Sequence, residues 1–223
     1  MSSSAELKVH IVGGPGSGKS TLGRSLARHL GSCVWDLDDL ALSEGVYADF
    51  RPRRALADRV RDLQQVSAGS SWVIEGSFLW WTRLLFERAD VIIWLDPPWR
   101  VAARRIVVRH VRAYLHDIRG GQSLMARLRA LRYPHLRFLV SFFRWSSRYY
   151  TTDGSQAASD LDPDDMRALT RSATKSYLSV HAGKVIHLTR PDLQRALAAL
   201  AGRKGRIAIA ASHSSRETLA RSR

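Results

Sequence analysis

The residues best suited to chemistry lie in one glycine-rich stretch near the start of the chain. The pattern G-x-x-x-x-G-K-[ST] is carried by Gly13, Gly14, Pro15, Gly16, Ser17, Gly18, Lys19, Ser20 and Thr21. Glycines let successive backbone N–H groups turn inward without Cβ clashes, and a following helix adds the partial positive charge of its N-terminus. Such a loop binds phosphate. We expect Lys19 to reach the β- and γ-phosphates of ATP, and the Ser20 hydroxyl to bind the bridging Mg²⁺ ion.

The segments on either side of this loop have the patterns that it requires. An apolar run from Leu7 to Val12 predicts a strand before the loop. After it, Leu22, Leu26 and Leu30 repeat at helical spacing and predict a helix with one apolar face. A flexible glycine-rich turn would explain neither these neighbours nor the Lys-Ser pair. The sequence therefore predicts a phosphate-binding site at the carboxyl end of the first strand.

Acidic residues follow the second predicted strand, which spans 33–35. They are Asp36, Asp38 and Asp39. In open α/β sheets ligands bind beyond the carboxyl ends of the strands, so these acids point toward whatever the phosphates face. Asp38 or Asp36 is therefore a candidate to orient an acceptor hydroxyl. The alternative is that Asp38 or Asp39 only caps a helix.

Glu75 follows the third predicted strand, at 72–74, and precedes a glycine. Proteins with this kind of phosphate loop keep a carboxylate near that position to hold a Mg²⁺-bound water. Glu75 and Ser20 are therefore the candidate metal-site residues. The competing assignment is Asp96, which follows the fourth predicted strand, at 90–95, and which alternatively caps the next helix.

One face of the helix predicted at 97–115 is basic. It carries Arg105, Arg109, Arg112 and His116. Between residues 97 and 150, twelve arginines stand against a single acid, Asp117, so this row lacks acidic partners within its own helix. Arginines beside a phosphate loop neutralise charge during phosphoryl transfer, which makes Arg105 and Arg109 candidate catalytic residues. A plain basic surface and a nucleic-acid-binding face are the alternatives.

Length and composition restrict the domain organisation and the function class. The chain has 223 residues and a net charge of +15, and 30 of its 35 basic residues are arginine. We expect one domain at 1–201, with a helical insertion at about 116–160 and a flexible basic tail at 202–223. The chain contains no asparagine, so it lacks the Asn-Lys-x-Asp element with which P-loop GTPases recognise guanine.

The cysteine content and the apolar runs indicate the compartment. A single cysteine, Cys33, cannot form an internal disulfide, which fits a reducing environment, and we expect it to be a buried strand residue. The apolar run from Phe138 to Phe143 is far shorter than the roughly 20 residues of a membrane span. No secretory signal precedes Leu7. We therefore predict a soluble, cytoplasmic protein without a membrane partner.

Strands and helices alternate five times, with the phosphate loop after the first strand. This order predicts an α/β fold: a P-loop NTPase three-layer sandwich with a five-stranded parallel sheet and helices on both faces. The arginine-rich segment after the fourth strand is expected to form a helical, lid-like insertion.

From about Leu7 to Leu200 the chain resembles the adenylate-kinase-like group of small P-loop kinases, most closely the bacterial DNA topology modulation (FlaR-like) proteins. The resemblance rests on the segments 13–21, 37–40, 72–76, 89–96 and 105–109. It implies transfer of the γ-phosphoryl group of ATP, with Mg²⁺, to a small hydroxyl or phosphate acceptor such as a nucleoside or nucleotide. We expect a monomer or a homodimer.

By position, the resemblance assigns Lys19 and Ser20 to phosphate and magnesium. It assigns Asp38 to the acceptor and places Arg105 and Arg109 on the lid side. These residues, with Glu75 at the metal, form the catalytic set that the sequence predicts.

Two positions depart from the family pattern. The acid before the glycine is commonly Asp, whereas this chain has Glu75. In adenylate kinases an AMP-binding arginine follows that acid by four residues, but Leu79 stands there, which argues against AMP as acceptor unless Arg83 substitutes. Two other functions stay open: a nucleotide-gated nucleic-acid-binding or regulatory ATPase, and a simple NTPase with water as acceptor.

Overall fold

The fold is built on one parallel sheet. The structure, a computed structural model, describes residues 6–43, 52–120, 134–153 and 168–202, with side chains described except at 117–120 and 134–138. The sheet has the strand order β2-β3-β1-β4-β5, and all four neighbouring pairs are parallel. The strands are β1 (Lys8–Gly13), β2 (Val34–Asp36), β3 (Trp72–Gly76), β4 (Val91–Leu95) and β5 (Val185–Leu188). The predicted five-stranded parallel α/β fold is confirmed.

Helices connect these strands, as the right-handed crossovers of a parallel sheet require. They are α1 (Lys19–Leu30), α2 (Leu37–Ala41), α3 (Leu56–Ser67), α4 (Arg83–Arg88), α5 (Trp99–Gly120), α6 (Pro134–Thr151) and α7 (Arg171–Ser179). A 3₁₀ turn, Ala182–Lys184, leads into β5. A further helix, 193–202, belongs to a second compact unit that begins at Asp192.

The central strand β1 determines where the strand ends meet. Five of its six residues are buried, because β3 and β4 flank it and helices cover the sheet. Its last residues, Val12 and Gly13, pair with Gly76 of β3 and Leu95 of β4. On the outer side of β3, Asp36 of β2 is paired with Glu75. The phosphate loop and these two carboxylates therefore leave the same edge of the sheet.

Buried apolar side chains pack against the sheet that carries this edge. Leu22 and Leu26 of α1 are buried, as the helical spacing predicts, whereas Leu30 is partly exposed. Another cluster joins the sheet to α2, α3 and α4 and includes Leu37, Leu63, Trp72, Ile74, Leu85 and Phe86. Burying side chains of this size contributes roughly 1.5–3 kcal/mol each. The strand ends are thus held by apolar packing on both sides.

Neither of the short helices α2 and α4 is long enough to show a helical period. The sequence predicts a helix near α2 only in the alternative in which Asp38 or Asp39 caps it, and it does not predict α4. The sequence also predicts a helix that starts at Arg51-Pro52 and runs to about Ser67, but α3 begins only at Leu56, since Arg53 forms an isolated antiparallel bridge with Leu42. Cys33 is exposed, so the expectation of a buried strand residue is wrong. It precedes β2, an edge strand whose Val34 and Trp35 are also exposed.

The predicted insertion at about 116–160 is described only in part. Within it the sequence predicts two helices, at about 123–133 and 134–150. α5 extends five residues beyond its expected end, to Gly120, and α6 closely matches the second of the two. The helix expected at 123–133 and the tail at 203–223 lie outside the described residues, so the domain boundaries stay predictions. Within the described ranges, no helix has both the length and the apolar character needed to cross a membrane.

His10 is a fully buried titratable residue at the centre of β1. Its Nδ1 donates to the Ile74 carbonyl at 3.0 Å, and its ring meets Phe86 edge-on with centroids 4.7 Å apart. Burial, which outweighs the bond to Ile74, lowers the pKa of His10 to about 4. The folded protein therefore keeps this ring neutral at pH values where an unfolded chain protonates it.

We predict that the protein loses stability on acidification because of His10. Between about pH 6.5 and pH 4 the unfolded state binds a proton that the folded state does not. The free energy of unfolding therefore decreases as the pH is lowered through this range, by roughly 3 kcal/mol in total. Urea unfolding at pH 7, 6 and 5 gives the slope of the free energy of unfolding against pH, which reports the protons bound on unfolding. His10→Gln should reduce this slope by up to about one proton per molecule. His29→Gln, at an exposed position of α1, should retain the wild-type slope. Equal slopes in all three proteins would contradict the prediction.

Candidate active site

The phosphate loop joins β1 to α1 and depends on two glycines in the left-handed region. Gly16 has φ 73° and Gly18, which caps α1, has φ 98°. Side chains rarely tolerate these angles, so glycine is required at both positions. The chain then enters α1 at Lys19, with Ser20 in its first turn. The helix N-terminus is directed into the loop, which is the arrangement that favours an anion.

Helix α5 packs directly against this loop. A Cβ added at Gly16 would lie 2.6 Å from the Ala102 carbonyl oxygen and 2.9 Å from Cγ1 of Ile106. One added at Gly18 would lie 2.9 Å from Cγ of Pro191. The glycines of the motif therefore meet two needs, backbone conformation and close approach of neighbouring segments.

Polar side chains hold the beginning of the loop. The Lys19 ammonium donates to the Gly14 carbonyl at 3.2 Å, and the Ser77 hydroxyl donates to the Gly13 carbonyl at 2.9 Å. Lys19 is thus held over the loop, where a phosphate group can replace the carbonyl as its partner. Sequence reasoning missed Ser77, whose position two residues after Glu75 was the available signal.

Glu75 lies with Ser20, Lys19 and Asp36 in one cluster at the strand ends. Its side chain is 3% exposed and accepts a hydrogen bond from the Ser20 hydroxyl. Burial raises the pKa of Glu75, Lys19 lowers it, and the neighbouring Asp36 raises it further. The net direction is upward because burial outweighs the effect of Lys19, so the ionised carboxylate lacks full compensation in the folded protein. A cation would relieve this imbalance.

The residues present fit a magnesium ion. Mg²⁺ prefers hard oxygen ligands and is usually bound through one or two carboxylates together with substrate phosphates. Ser20 and Glu75 supply a hydroxyl and a carboxylate side by side. An ion held there would neutralise charge on a bound triphosphate.

Asp36 and Asp38 occupy different environments at the end of β2. Asp36 caps α2 by accepting the N–H of Asp38 at 2.9 Å. The alternative that Asp38 or Asp39 is the cap is therefore wrong, because the helix starts at Leu37, two or three residues earlier than those acids require. Asp38 and Asp39 lie in the first turn of α2 and are exposed. The assignment of Asp38 to an acceptor stays a prediction.

Asp96, which follows β4 on the opposite side of β1 from Glu75, is bound by other residues. Its Oδ2 accepts hydrogen bonds from Nη2 and Nε of Arg171 at 2.7 and 3.0 Å, and lies 3.3 Å from Nε2 of His187. Asp96 is 3% exposed. The structure thus brings Glu75, rather than Asp96, to the Ser20 hydroxyl.

Arg105 and Arg109 point to different partners. Arg105 donates to the Ser17 carbonyl at 2.7 Å, whereas the Arg109 guanidinium lies 5.7 Å from the centroid of the Phe142 ring on α6. Arg105 therefore touches the phosphate loop through its backbone. The outer side of α5 is an open hollow lined by Val101, Arg104, Arg105, Val108, Arg109 and Arg112.

The proposed substitute for an AMP-binding arginine has another partner. Leu79 is fully buried in the core. Arg83 pairs with Glu87 at 2.7 Å on the exposed side of α4. Neither position offers a cation directed at the carboxylate cluster.

Comparison with known proteins places the similarity in the region that holds this site. A family model described as an AAA domain matches residues 9–117. The uncharacterized protein YqaC of Bacillus subtilis is 24% identical over 63% of this chain and 71% of its own length. The cytidylate kinase of Pyrococcus abyssi is 35% identical over 46% of this chain and 61% of its own. The shikimate kinase of Corynebacterium glutamicum is 36% identical over 44% and 62%.

The chain thus spans less than two-thirds of the length of either kinase. Both are named as kinases of small molecules, and the family model covers the phosphate loop, Glu75 and Arg105. The chain is therefore similar to P-loop kinases that act on small molecules.

We predict that Gly16→Ala is strongly destabilising. The substitution places a Cβ against the Ala102 carbonyl at a left-handed backbone position, which should cost roughly 1–3 kcal/mol of unfolding free energy. The matched control is Gly183→Ala, since a Cβ there meets nothing within 4 Å. Urea unfolding followed by circular dichroism measures both. A Gly16→Ala protein as stable as Gly183→Ala would show that α5 does not pack against the loop as described.

Proposed function

We propose that this protein is an ATP-dependent kinase of a small molecule. The observation that carries the proposal is the cluster of Lys19, Ser20 and Glu75 at a glycine-dependent phosphate loop. Phosphoryl transfer needs little covalent chemistry from the protein, since positioning and charge neutralisation dominate. This cluster supplies both. The similarity to small-molecule kinases supports the same reading.

Each residue of the cluster has a distinct role in the proposed reaction. The loop N–H groups and the Lys19 ammonium bind the phosphates of ATP. Ser20 and Glu75 hold Mg²⁺, which supplies charge neutralisation when bound. Asp36 caps α2 and so fixes the position of Asp38, which we assign to the acceptor.

The acceptor is proposed to be a nucleoside, a nucleoside monophosphate or a hydroxylated metabolite. The relatives support both classes, because one is named for cytidylate and another for shikimate. AMP is the less favoured acceptor, since Leu79 is buried and Arg83 is paired with Glu87. The closer resemblance to DNA topology modulation proteins stays a prediction.

The test is a panel of acceptors incubated with γ-labelled ATP and Mg²⁺. The panel contains nucleosides, the common nucleoside monophosphates including CMP, and polyhydroxylated acids including shikimate. We expect at least one labelled product, and Lys19→Ala should reduce its rate by roughly 100-fold or more because the phosphates lose their point charge. If the wild-type protein labels no acceptor above the Lys19→Ala background, the kinase proposal fails.

We further predict that Glu75→Gln weakens the use of magnesium. Loss of a carboxylate at the ion should raise the Mg²⁺ concentration for half-maximal activity by roughly 10- to 100-fold. Glu87→Gln is the matched control, because Glu87 lies on the exposed side of α4 and contacts Arg83. Magnesium titrations of labelled-product formation compare the two. Equal Mg²⁺ concentrations for half-maximal activity in both variants would show that Glu75 does not bind the metal.

The basic outer side of α5 favours a second candidate, a nucleotide-gated nucleic-acid-binding ATPase. Arg104, Arg109 and Arg112 are exposed along this helix. This candidate predicts DNA or RNA binding that weakens steeply with salt, and the slope of log affinity against log salt concentration should be smaller after these arginines are replaced.

A simple NTPase with water as acceptor instead predicts phosphate release that is undiminished in Asp38→Ala.

A further inference from the structure

Each backbone carbonyl from Gly13 to Gly18 accepts a hydrogen bond. The donors come from the loop itself, from α1, from the segment after β3, and from α5 and α6. They are the Lys19 ammonium, the Ser17 and Leu22 N–H groups, and the Ser77, Arg105 and Tyr150 side chains. The C=O and N–H of a planar trans peptide point in opposite directions. A bonded carbonyl therefore also directs the N–H of the next residue.

Tyr150, near the C-terminal end of α6, bonds to the middle of the loop. Its hydroxyl donates to the Pro15 carbonyl at 2.9 Å, which orients the peptide that carries the Gly16 N–H. Trp99 of α5 and Tyr149 hold the ring, with centroids 5.3 and 4.9 Å away. Burial raises the pKa of Tyr150 well above its usual value, so the hydroxyl stays protonated and remains a donor.

Arg105 orients the next two peptides. It donates to the Ser17 carbonyl at 2.7 Å and to the Gly16 carbonyl at 3.4 Å, and so directs the N–H of Gly18. α5 and α6 pack against each other through contacts such as that of Trp99 with Phe143, at 5.0 Å between centroids. The two long helices therefore reach the loop as one packed pair.

The ring of Tyr149 closes the same side of the loop. A Cβ added at Gly14 would overlap this ring, although the second position of the motif is free to vary in general. The Tyr149 hydroxyl donates to Oγ1 of Thr174 on α7 at 3.2 Å. The loop thus packs against the Tyr149 ring, which leaves no space for a side chain at Gly14.

We propose that Tyr150 is a positioning residue for the phosphate loop: by holding the Pro15 carbonyl it presets the Gly16 N–H for a nucleotide phosphate. This inference rests on the proposed nucleotide-binding function and extends it to the end of α6. Tyr150 acts through the backbone of the loop and needs no contact with the nucleotide. The packed pair of α5 and α6 then stabilises the nucleotide-binding conformation before ATP arrives.

The test compares Tyr150→Phe with the wild-type full chain by calorimetric titration with Mg²⁺ and a non-hydrolysable ATP analogue. Phe keeps the ring and its packing and removes only the hydroxyl. We expect the dissociation constant to rise by roughly three- to tenfold, the range of one lost hydrogen bond. In ¹⁵N-glycine-labelled protein, the nucleotide-induced shift of the Gly16 amide should shrink in the variant.

Ser71→Ala is the matched control. Its hydroxyl also donates to a backbone carbonyl, that of Leu7 at 3.2 Å, but at the amino ends of the strands, away from the loop. The inference holds if Tyr150→Phe weakens nucleotide binding while Ser71→Ala binds as wild type. It is overturned if Tyr150→Phe binds as wild type, or if both variants weaken binding equally, since general destabilisation would then explain the loss.

These outcomes are separable from a failure of the proposed function. A wild-type protein that binds no Mg²⁺-nucleotide would overturn the nucleotide site itself. A wild-type protein that binds nucleotide and labels an acceptor, beside a Tyr150→Phe variant with unchanged affinity and an unchanged Gly16 amide shift, would overturn the role of Tyr150 alone.

Discussion

Close approach of other segments to the backbone of the phosphate loop is the constraint on which the site depends. A Cβ at Gly13 would overlap the Leu95 carbonyl of β4, and one at Gly16 would lie 2.6 Å from the Ala102 carbonyl of α5. Protein interiors are packed to the density of organic crystals, so such contacts cannot relax without moving whole elements. The loop conformation is therefore set by what surrounds it as much as by its own torsion angles.

Charge is the second constraint, and it is unevenly distributed at the strand ends. Glu75 is buried beside Asp36, with Lys19 as the neighbouring cation. Buried carboxylates are costly without compensation, and active sites tolerate that cost where a substrate or ion supplies it. The same strand register that pairs Asp36 with Glu75 also places them under the phosphate loop. Fold and electrostatics thus have a common origin in the parallel sheet.

Much of this architecture could be predicted from the sequence because its signals are local. The apolar run before Gly13 and the leucine spacing after it identify β1 and α1 without tertiary information. Glu75 was identified as a candidate because it follows an apolar strand directly. In each case the side chain and the element that positions it are neighbours in the chain.

The remaining features depend on contacts between distant residues. The bond from Tyr150 to Pro15 joins positions 135 residues apart, and nothing in the local pattern of α6 distinguishes this tyrosine from Tyr149. Cys33 was expected inside the protein because strands of parallel sheets are usually buried, but β2 lies at the edge of the sheet. The arginine row was read as a charge pattern, whereas Arg105 donates to a backbone carbonyl. Strand order and helix packing decide these points.

The engagement of Asp96 by Arg171 and His187 has a mechanical consequence. It ties the end of β4 to β5 and to α7 through a carboxylate whose surroundings already include a permanent cation. Glu75 and Asp36, across β1, have no comparable guanidinium among the contacts described for them. The carboxylate on one flank of the sheet edge is therefore already paired with a cation, while the carboxylates on the other flank would respond more strongly to the charge of a bound ion or substrate.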